Sequence, residues 1–268
     1  IRLQHDDLQQ LSNASWELQT WLNGYPGVSN VMDDLRLRRE LEARGKPNLA
    51  EELKEAAIER ASKGWHLSIH GNGDAAIDNI LDTCEALAKA GIDLSKVRPR
   101  IEHCSILHDD QIARMKELGV SASFLIGHVH YWGVAMRDEV FGEEKAQLLD
   151  RCRSAEEAGI SFTLHSDFMV TDPEPLHMIE MAVTRKTWKE PDYVLAPQEK
   201  ISVESAIRAL TSEAAWQLFS EHEIGSLEPG KLADFVVLED DPRAVAPTEI
   251  SDIRVSETWM DGRRVFGP

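Results

Sequence analysis

Histidine and acidic side chains that could bind a metal ion or transfer protons recur along the middle of the chain. His70 closes an apolar segment that begins at Trp65, His103 closes a second such segment, and Asp167 follows His165 at the end of a third. Imidazole and carboxylate groups bind divalent cations such as zinc, and they also transfer protons near neutral pH. The pattern therefore predicts a metal or acid–base site, provided that the fold brings the three segments together.

Each of these residues also has a simpler structural interpretation. A lone histidine at a strand end is more often a packing residue than a ligand, Asp74 is suited to capping the helix that it opens, and Asp167 could begin a turn. What favours a site is that the same chemistry recurs at successive strand ends.

Neighbouring residues are predicted to play other parts. His66 shares a strand face with His70 but lies roughly 13 Å deeper, too far to bind the same metal. His128 and His130 would share a face if that segment were extended; substrate contact and an ordinary loop histidine are equally good interpretations of His128. Cys104 faces the other side of its strand from its histidine neighbour, which predicts packing rather than nucleophilic chemistry.

Four units of a short apolar strand and a following helix are predicted to position these residues. The pairs are Trp65–His70 with Asp74–Ala90, Arg100–Cys104 with Asp109–Leu118, Val120–Ile126 with Glu143–Ala158, and Ile160–His165 with Pro175–Trp188. Repeated strand–helix units indicate an α/β fold with parallel strands joined by crossover helices. The carboxyl ends of such strands meet at one edge of the sheet, where the active sites of these folds lie.

The chain changes character toward its end. A helix is predicted over 203–219, and a turn-rich segment follows over 225–231. The strands predicted beyond it are Asp234–Glu239, Ile253–Met260 and Arg264–Phe266, the last two joined by an Asp261-Gly262 hairpin turn. We therefore expect residues 1–223 to form the α/β portion and residues 224–268 a small β element.

The composition excludes several classes of protein. The 268 residues carry a formal net charge of −18, from 47 acidic and 29 basic side chains. Nucleic acids and anionic membranes both require a basic surface, so neither is expected as a partner. The three scattered cysteines do not form a disulfide framework, and no run approaches the roughly 20 apolar residues of a membrane span. These features favour a cytoplasmic protein that acts on a small molecule.

The motifs together resemble the amidohydrolase superfamily, and within it the Amidohydro_3 (YtcJ-like) metal-dependent hydrolases. The matching segments are GWHLSIHGNGDAA at 64–76, RIEHC at 100–104, HSD at 165–167 and GSLEPGKLADFVVL at 225–238. The resemblance extends from about residue 48 to the end of the chain. It implies a (β/α)8 TIM-type barrel, of which strands 5–8 are identifiable, with a small C-terminal element of the family's β-sandwich.

The resemblance also implies what individual residues do. His70 and His103 would bind a divalent metal, zinc above others, and Asp167 would bind the metal and take a proton from the attacking water. The residues implied to face the substrate are His128, Tyr131 and Trp132. The implied reaction is hydrolysis of an amide or another C–N bond of a small molecule.

Two features of the family have no counterpart in the sequence. The H-x-H pair of barrel strand 1 and the ligand on strand 4 are not found, and residues 1–47 do not match the family pattern. We expect the chain, which has no initiating Met, to begin partway through a longer hydrolase. Two alternatives stay open: a catalytically inactive relative with a regulatory or structural role, and a half-barrel subunit that builds a composite site as a homo-oligomer.

Overall fold

A computed structural model of the protein describes residues 49–268. The chain divides into two compact units, Ile1–Ala56 and Ala57–Pro268, and the features below belong to the second, apart from the first residues of the helix Leu49–Ala61. The sequence also predicts amphipathic helices over residues 6–22 and 31–44, and these segments lie outside the described residues. The predicted division into 1–223 and 224–268 stays a prediction.

A four-stranded parallel sheet organises the second unit, with the strands in the order β1-β2-β3-β4. The strands are β1 (Ser68–Gly71), β2 (Arg100–His103), β3 (Ser121–Phe124) and β4 (Phe162–Leu164). His70 is in register with Glu102, and Gly71 is in register with His103. The carboxyl ends of β1 and β2 therefore lie side by side, and the prediction of an α/β fold with a parallel sheet is confirmed.

Helices flank and connect these strands. They are α1 (Leu49–Ala61), α2 (Asp74–Lys89), α3 (Leu94–Val97), α4 (Asp109–Leu118), α5 (Gly133–Ala135), α6 (Gly142–Ala146), α7 (Cys152–Ala158), α8 (Pro175–Thr184), α9 (Val203–Leu210) and α10 (Ser212–Gln217). Two π-helical segments span His128–Trp132 and Met136–Phe141, and two 3-10 turns span Pro197–Glu199 and Pro247–Asp252. Within the described residues, none of the helices is long and apolar enough to cross a membrane.

Residue spacing explains how α2 packs. Its largest buried side chains recur at intervals of three and four residues, which places them in one stripe along the helix. They are Ile77, Ile80, Leu81, Cys84 and Leu87. Burial of each large aliphatic side chain contributes roughly 1.5–3 kcal/mol, so this stripe holds the helix against the sheet.

The prediction of one continuous helix over Glu143–Ala158 is wrong between residues 147 and 151. The chain forms α6 and α7 instead, and between them Leu149 makes an antiparallel bridge with Ile106. Asp150 adopts a left-handed φ of 45°, and its N–H donates to the carbonyl of Ser105 at 2.8 Å. A backbone pairing between distant segments therefore overrides the local helix propensity.

The C-terminal residues form a separate antiparallel sheet in the order β5-β6-β7. Its strands are β5 (Phe235–Leu238), β6 (Val255–Met260) and β7 (Arg263–Phe266). The predicted hairpin is confirmed: Asp261 and Gly262 both have positive φ, 49° and 69°, as the turn that suits the right-handed twist of a hairpin requires.

Candidate functional site

Four histidine rings gather at the carboxyl edge of the parallel sheet. The ring of His103 is central, with its centroid 4.5 Å from that of His70, 5.1 Å from that of His165 and 6.2 Å from that of His128. These side chains come from the ends of β1, β2 and β4 and from the segment after β3. The parallel topology thus brings together histidines that are far apart in the sequence.

The backbone is constrained where the strands end. His103, Cys104 and Asp167 all have a left-handed φ, of 67°, 48° and 48°, which is uncommon for residues other than glycine. The carbonyl of Asp167 accepts a hydrogen bond of 2.6 Å from the N–H of Val170, so Asp167 does begin a tight turn. Such conformations concentrate at functional sites, where the surrounding structure holds them in place.

Burial lowers the pKa of three histidines of this cluster and so favours their neutral form. Burial, together with His70 and His165, lowers the pKa of His103 to about 4. Burial, together with His103, also lowers the pKa of His128 to about 4, and burial lowers the pKa of His165. Neutral imidazole is the form that binds metal ions.

Two ring nitrogens of the cluster lack a protein partner. Nδ1 of His103 and Nε2 of His165 are buried and have no hydrogen bond within the described part of the chain. An unpaired buried polar atom is costly, and in native structures it calls for a bound water, an ion or a functional role. The donor chemistry of the cluster therefore fits a divalent cation.

The candidate ligand side chains do not, however, lie close enough together to coordinate one ion. Within residues 49–268, no group of three or more His, Cys, Asp or Glu side chains is close enough together to hold an ion. His103 is buried, whereas His70 and Asp167 are exposed. The assignment of His70, His103 and Asp167 as metal ligands stays a prediction.

A carboxylate supports the cluster from the neighbouring position of the sheet. Glu102 accepts hydrogen bonds from the hydroxyl of Ser68 and from Nε of Arg100, the latter at 2.8 Å. Burial raises the pKa of Glu102, but these two partners outweigh it and leave the pKa below its usual value. The carboxylate stays ionised, and its negative charge favours a cation at the histidines nearby.

The comparison with known proteins identifies the family. The Amidohydro_3 model, described as the amidohydrolase family, matches residues 21–266. The chain belongs to this family. The prediction made from the motifs is thereby confirmed, while the eightfold barrel and the strand numbering within it stay predictions.

Relatives of this amidohydrolase chain are considerably longer than the chain itself. It is 32% identical over 216 residues to the N-substituted formamide deformylase of Arthrobacter pascens, covering 79% of this chain and 38% of that protein. It is also 32% identical over 216 residues to the protein LONG AFTER FAR-RED 3 of Arabidopsis thaliana, covering 81% and 36%. The solved structure of an uncharacterized metal-dependent hydrolase from Pyrococcus horikoshii OT3 matches with 28% identity and a TM-score of 0.64, covering 74% and 38%.

The residues that the family resemblance assigns to the substrate lie in a π-helical turn. Because this turn replaces an extended segment, His128 and His130 do not share a face. His130 Nδ1 lies 3.0 Å from the carbonyl oxygen of Lys186, and its ring contacts that of Tyr131 at 4.7 Å. The ring of Trp132 lies 5.8 Å from that of His128. His128 and Trp132 thus face the histidine cluster, and Tyr131 lies toward His130.

Two residues of the candidate site were not predicted from the sequence. Asn72 Nδ2 lies 3.3 Å from Nε2 of His70, and the Ser105 hydroxyl contacts both Asn72 Oδ1 and His128 Nδ1, at 2.8 and 3.1 Å. The place of Asn72 within the HGNGD motif was a signal that could have pointed to it. Ser105 carried no such signal, because only the fold brings it to Asn72.

The remaining polar candidates have structural roles. Gly73, not Asp74, is the N-cap of α2, and the Asp74 carboxylate pairs with Nζ of Lys145 at 2.6 Å and with Nε2 of His108 at 3.3 Å. Cys104 is fully buried, and burial raises the pKa of its thiol. The burial of Cys104 agrees with the packing role that the sequence predicts for it.

Replacement of Asp74 by asparagine should destabilise the protein in a pH-dependent way. The hydrogen bond from Lys145 lowers the folded-state pKa of Asp74 to about 2, against about 3.9 for an unfolded chain. The pair therefore stabilises the fold fully above about pH 4, and this contribution is lost as the pH falls toward about 2. After allowance for solvent screening we expect Asp74→Asn to cost about 1 kcal/mol at pH 7.

Urea unfolding at pH 7 and at pH 2.5 measures this difference. Asp110→Asn is the matched control, because Asp110 also lies in the first turn of a helix and makes no ion pair within the described residues. An equal difference between wild type and Asp74→Asn at both pH values would contradict the assignment.

Proposed function

We propose that this chain carries active-site residues of a metal-dependent hydrolase that cleaves an amide or another C–N bond of a small molecule. The observation that carries the proposal is the cluster of His70, His103 and His165 at the carboxyl edge of the parallel sheet. Its buried rings are neutral, and two of its ring nitrogens have no partner among the described residues. The similarity to an N-substituted formamide deformylase supports an amide substrate.

We assign the cation to His70, His103 and Asp167, with zinc as the ion whose preference for nitrogen and oxygen ligands fits this set. When bound, a divalent cation polarises a carbonyl oxygen and lowers the pKa of a coordinated water toward about 7. Asp167 is exposed at the rim, so its carboxylate can accept the proton of the attacking water and deliver it to the leaving amine.

The surface beside Asp167 supports a substrate with an apolar substituent. The turn after Asp167 presents Phe168, Met169 and Val170 to solvent, with 66%, 75% and 51% of their surfaces exposed. Adjacent large apolar side chains are rarely exposed in soluble proteins without a binding role. An N-alkyl or N-aryl formamide would place its polar group at Asp167 and its substituent on this patch.

The turn also contacts the segment that carries Trp132. A Cβ built on Gly127 would lie 2.9 Å from Cγ2 of Thr171, so glycine allows the two segments to approach this closely. The apolar patch and the indole thus lie on connected segments around the same histidine cluster. Together they offer an aromatic and an aliphatic surface to one substrate.

Metal analysis of wild-type protein and His103→Asn tests the proposal. Asparagine tolerates the left-handed φ of His103, so the fold should persist while zinc affinity falls by at least about 100-fold, more than the loss of a supporting partner costs. His222→Asn is the control, because His222 is exposed and distant in sequence from the cluster. A wild-type protein that binds no divalent cation, or a variant that binds it equally well, would overturn the assignment.

A further inference from the structure

A continuous line of hydrogen-bonding groups joins His70 to His128. Nε2 of His70 lies 3.3 Å from Asn72 Nδ2, Asn72 Oδ1 lies 2.8 Å from the Ser105 hydroxyl, and that hydroxyl lies 3.1 Å from Nδ1 of His128. Neither Asn72 nor Ser105 takes part in the proposed chemistry. The line nevertheless connects a proposed metal ligand to a proposed substrate contact.

The single proton of the Ser105 hydroxyl imposes one direction on the whole line. When Ser105 donates to Asn72 Oδ1, the Nδ1–H of His128 must donate to Ser105 Oγ, and the amide Nδ2–H of Asn72 donates to Nε2 of His70. Each neutral imidazole carries one proton. In this state the proton of His70 is therefore on Nδ1, and Nε2 of His128 is a bare acceptor.

A cation on His70 requires the opposite direction. Because Asn72 occupies Nε2 of His70, Nδ1 is the nitrogen left for the cation, and the ring proton must then lie on Nε2. An amide NH2 group cannot accept a hydrogen bond from the Nε2–H of His70, so Asn72 must turn its carbonyl oxygen to His70. A half-turn of the amide exchanges oxygen and nitrogen at almost no change in shape. A carbonyl or carboxylate acceptor is the usual partner of a metal-binding histidine.

Turning the Asn72 amide also reverses the donor–acceptor direction of the hydrogen bonds between Asn72, Ser105 and His128. The Asn72 amide Nδ2–H now donates to Ser105 Oγ, so the hydroxyl proton must point to Nδ1 of His128, and the proton of His128 must lie on Nε2. No proton is gained or lost overall, since each ring keeps one, the hydroxyl one and the amide two. Ser105 is only 4% exposed, so water has little access to the hydroxyl to relieve this constraint.

We propose that Asn72 and Ser105 form a relay that sets the tautomer of His128 according to whether a cation is bound at His70. The relay rests on the proposed function, because it assumes that His70 is a ligand. Its effect is that Nε2 of His128 becomes a hydrogen-bond donor once the cation is bound. A donor is what the carbonyl oxygen of an amide needs as negative charge develops on it, so the relay favours amide binding to the metal-loaded protein.

Nitrogen NMR of protein labelled in its histidine rings tests the relay directly. We expect the wild-type signals of His128 to change from the Nδ1–H to the Nε2–H pattern as zinc is added. In Ser105→Ala the line is broken, so zinc should leave the His128 tautomer unchanged and bind about tenfold more weakly. Ser121→Ala is the matched control, because it removes the hydroxyl of another buried serine and should behave as wild type.

A second variant keeps the line of hydrogen bonds from His70 to His128 but fixes the direction in which the groups donate. In Asn72→Asp the new carboxylate is only an acceptor, so it accepts hydrogen bonds from both the Nε2–H of His70 and the hydroxyl of Ser105. His128 should then keep its Nδ1–H tautomer while zinc still binds. If zinc binds to the wild-type protein without a change in His128, the relay is wrong and the proposed function stands. If zinc does not bind at all, both fail.

Discussion

Asp167→Asn should lower kcat/KM for hydrolysis of an N-substituted formamide by about 10²- to 10⁴-fold, the range that proton transfer by a positioned side chain contributes. The amide cannot take a proton from water or return one to the leaving amine. Asparagine tolerates the φ of 48° at this position, so the turn and the adjoining apolar patch should be retained. Steady-state kinetics of the zinc-loaded protein measure the effect.

An exposed carboxylate with no assigned role in catalysis provides the control for this substitution. Asp192→Asn removes an exposed carboxylate in the same chemical way and should leave kcat/KM unchanged. If Asp167→Asn retains activity within a factor of about three, Asp167 is not the proton acceptor, and the catalytic role assigned to it must be withdrawn.

Arg185→Met should reduce the free energy of unfolding by about 2–6 kcal/mol, because two buried carbonyls lose their donor at roughly 1–3 kcal/mol each. The guanidinium is fully buried. It donates to the carbonyl oxygens of Leu195, Asp150 and Leu149 at 2.8, 2.9 and 2.7 Å. Methionine fills a similar volume but leaves the buried carbonyls of Leu149 and Leu195 without a donor, whereas the carbonyl of Asp150 still accepts from the N–H of Cys152 at 2.8 Å. Urea unfolding measures the change.

The exposed Arg263→Met serves as the comparison and should change stability by less than about 0.5 kcal/mol. A loss below about 1 kcal/mol in Arg185→Met would show that water or a shifted backbone satisfies the carbonyls of Leu149 and Leu195. The site should also respond, because Arg185 holds Leu149 and Asp150, and Asp150 donates to the carbonyl of Ser105. We therefore expect Arg185→Met to weaken zinc binding as well as the fold.

The elements predicted correctly from the sequence carry their own start and stop signals. The helix Asp109–Leu118 was predicted to the residue. Its first turn is closed locally, because Gln111 Oε1 accepts from the N–H of His108, and it stops at Gly119 with a left-handed φ of 66°. The Asp261-Gly262 hairpin is likewise specified by two neighbouring residues. In each case the deciding interactions lie within a few residues of one another.

The gathering of His70 and His103 could also be predicted, because parallel strands have their carboxyl ends at one edge and each motif marks its own strand end. The structure brings these rings to 4.5 Å. Their roles as ligands stay predictions, since pattern and resemblance identify residue types but not the rotamers that would close on an ion.

The sequence by itself thus determined the family, the parallel α/β arrangement and the histidines of the candidate site, because these depend on periodicity, local turn chemistry and ordered motifs. Only the tertiary structure decided where the helix predicted over 143–158 breaks, since Leu149 pairs with Ile106. It alone placed Ser105 between Asn72 and His128. Such contacts join residues 23 to 43 positions apart, and no local pattern records which distant backbone or hydroxyl a residue will meet.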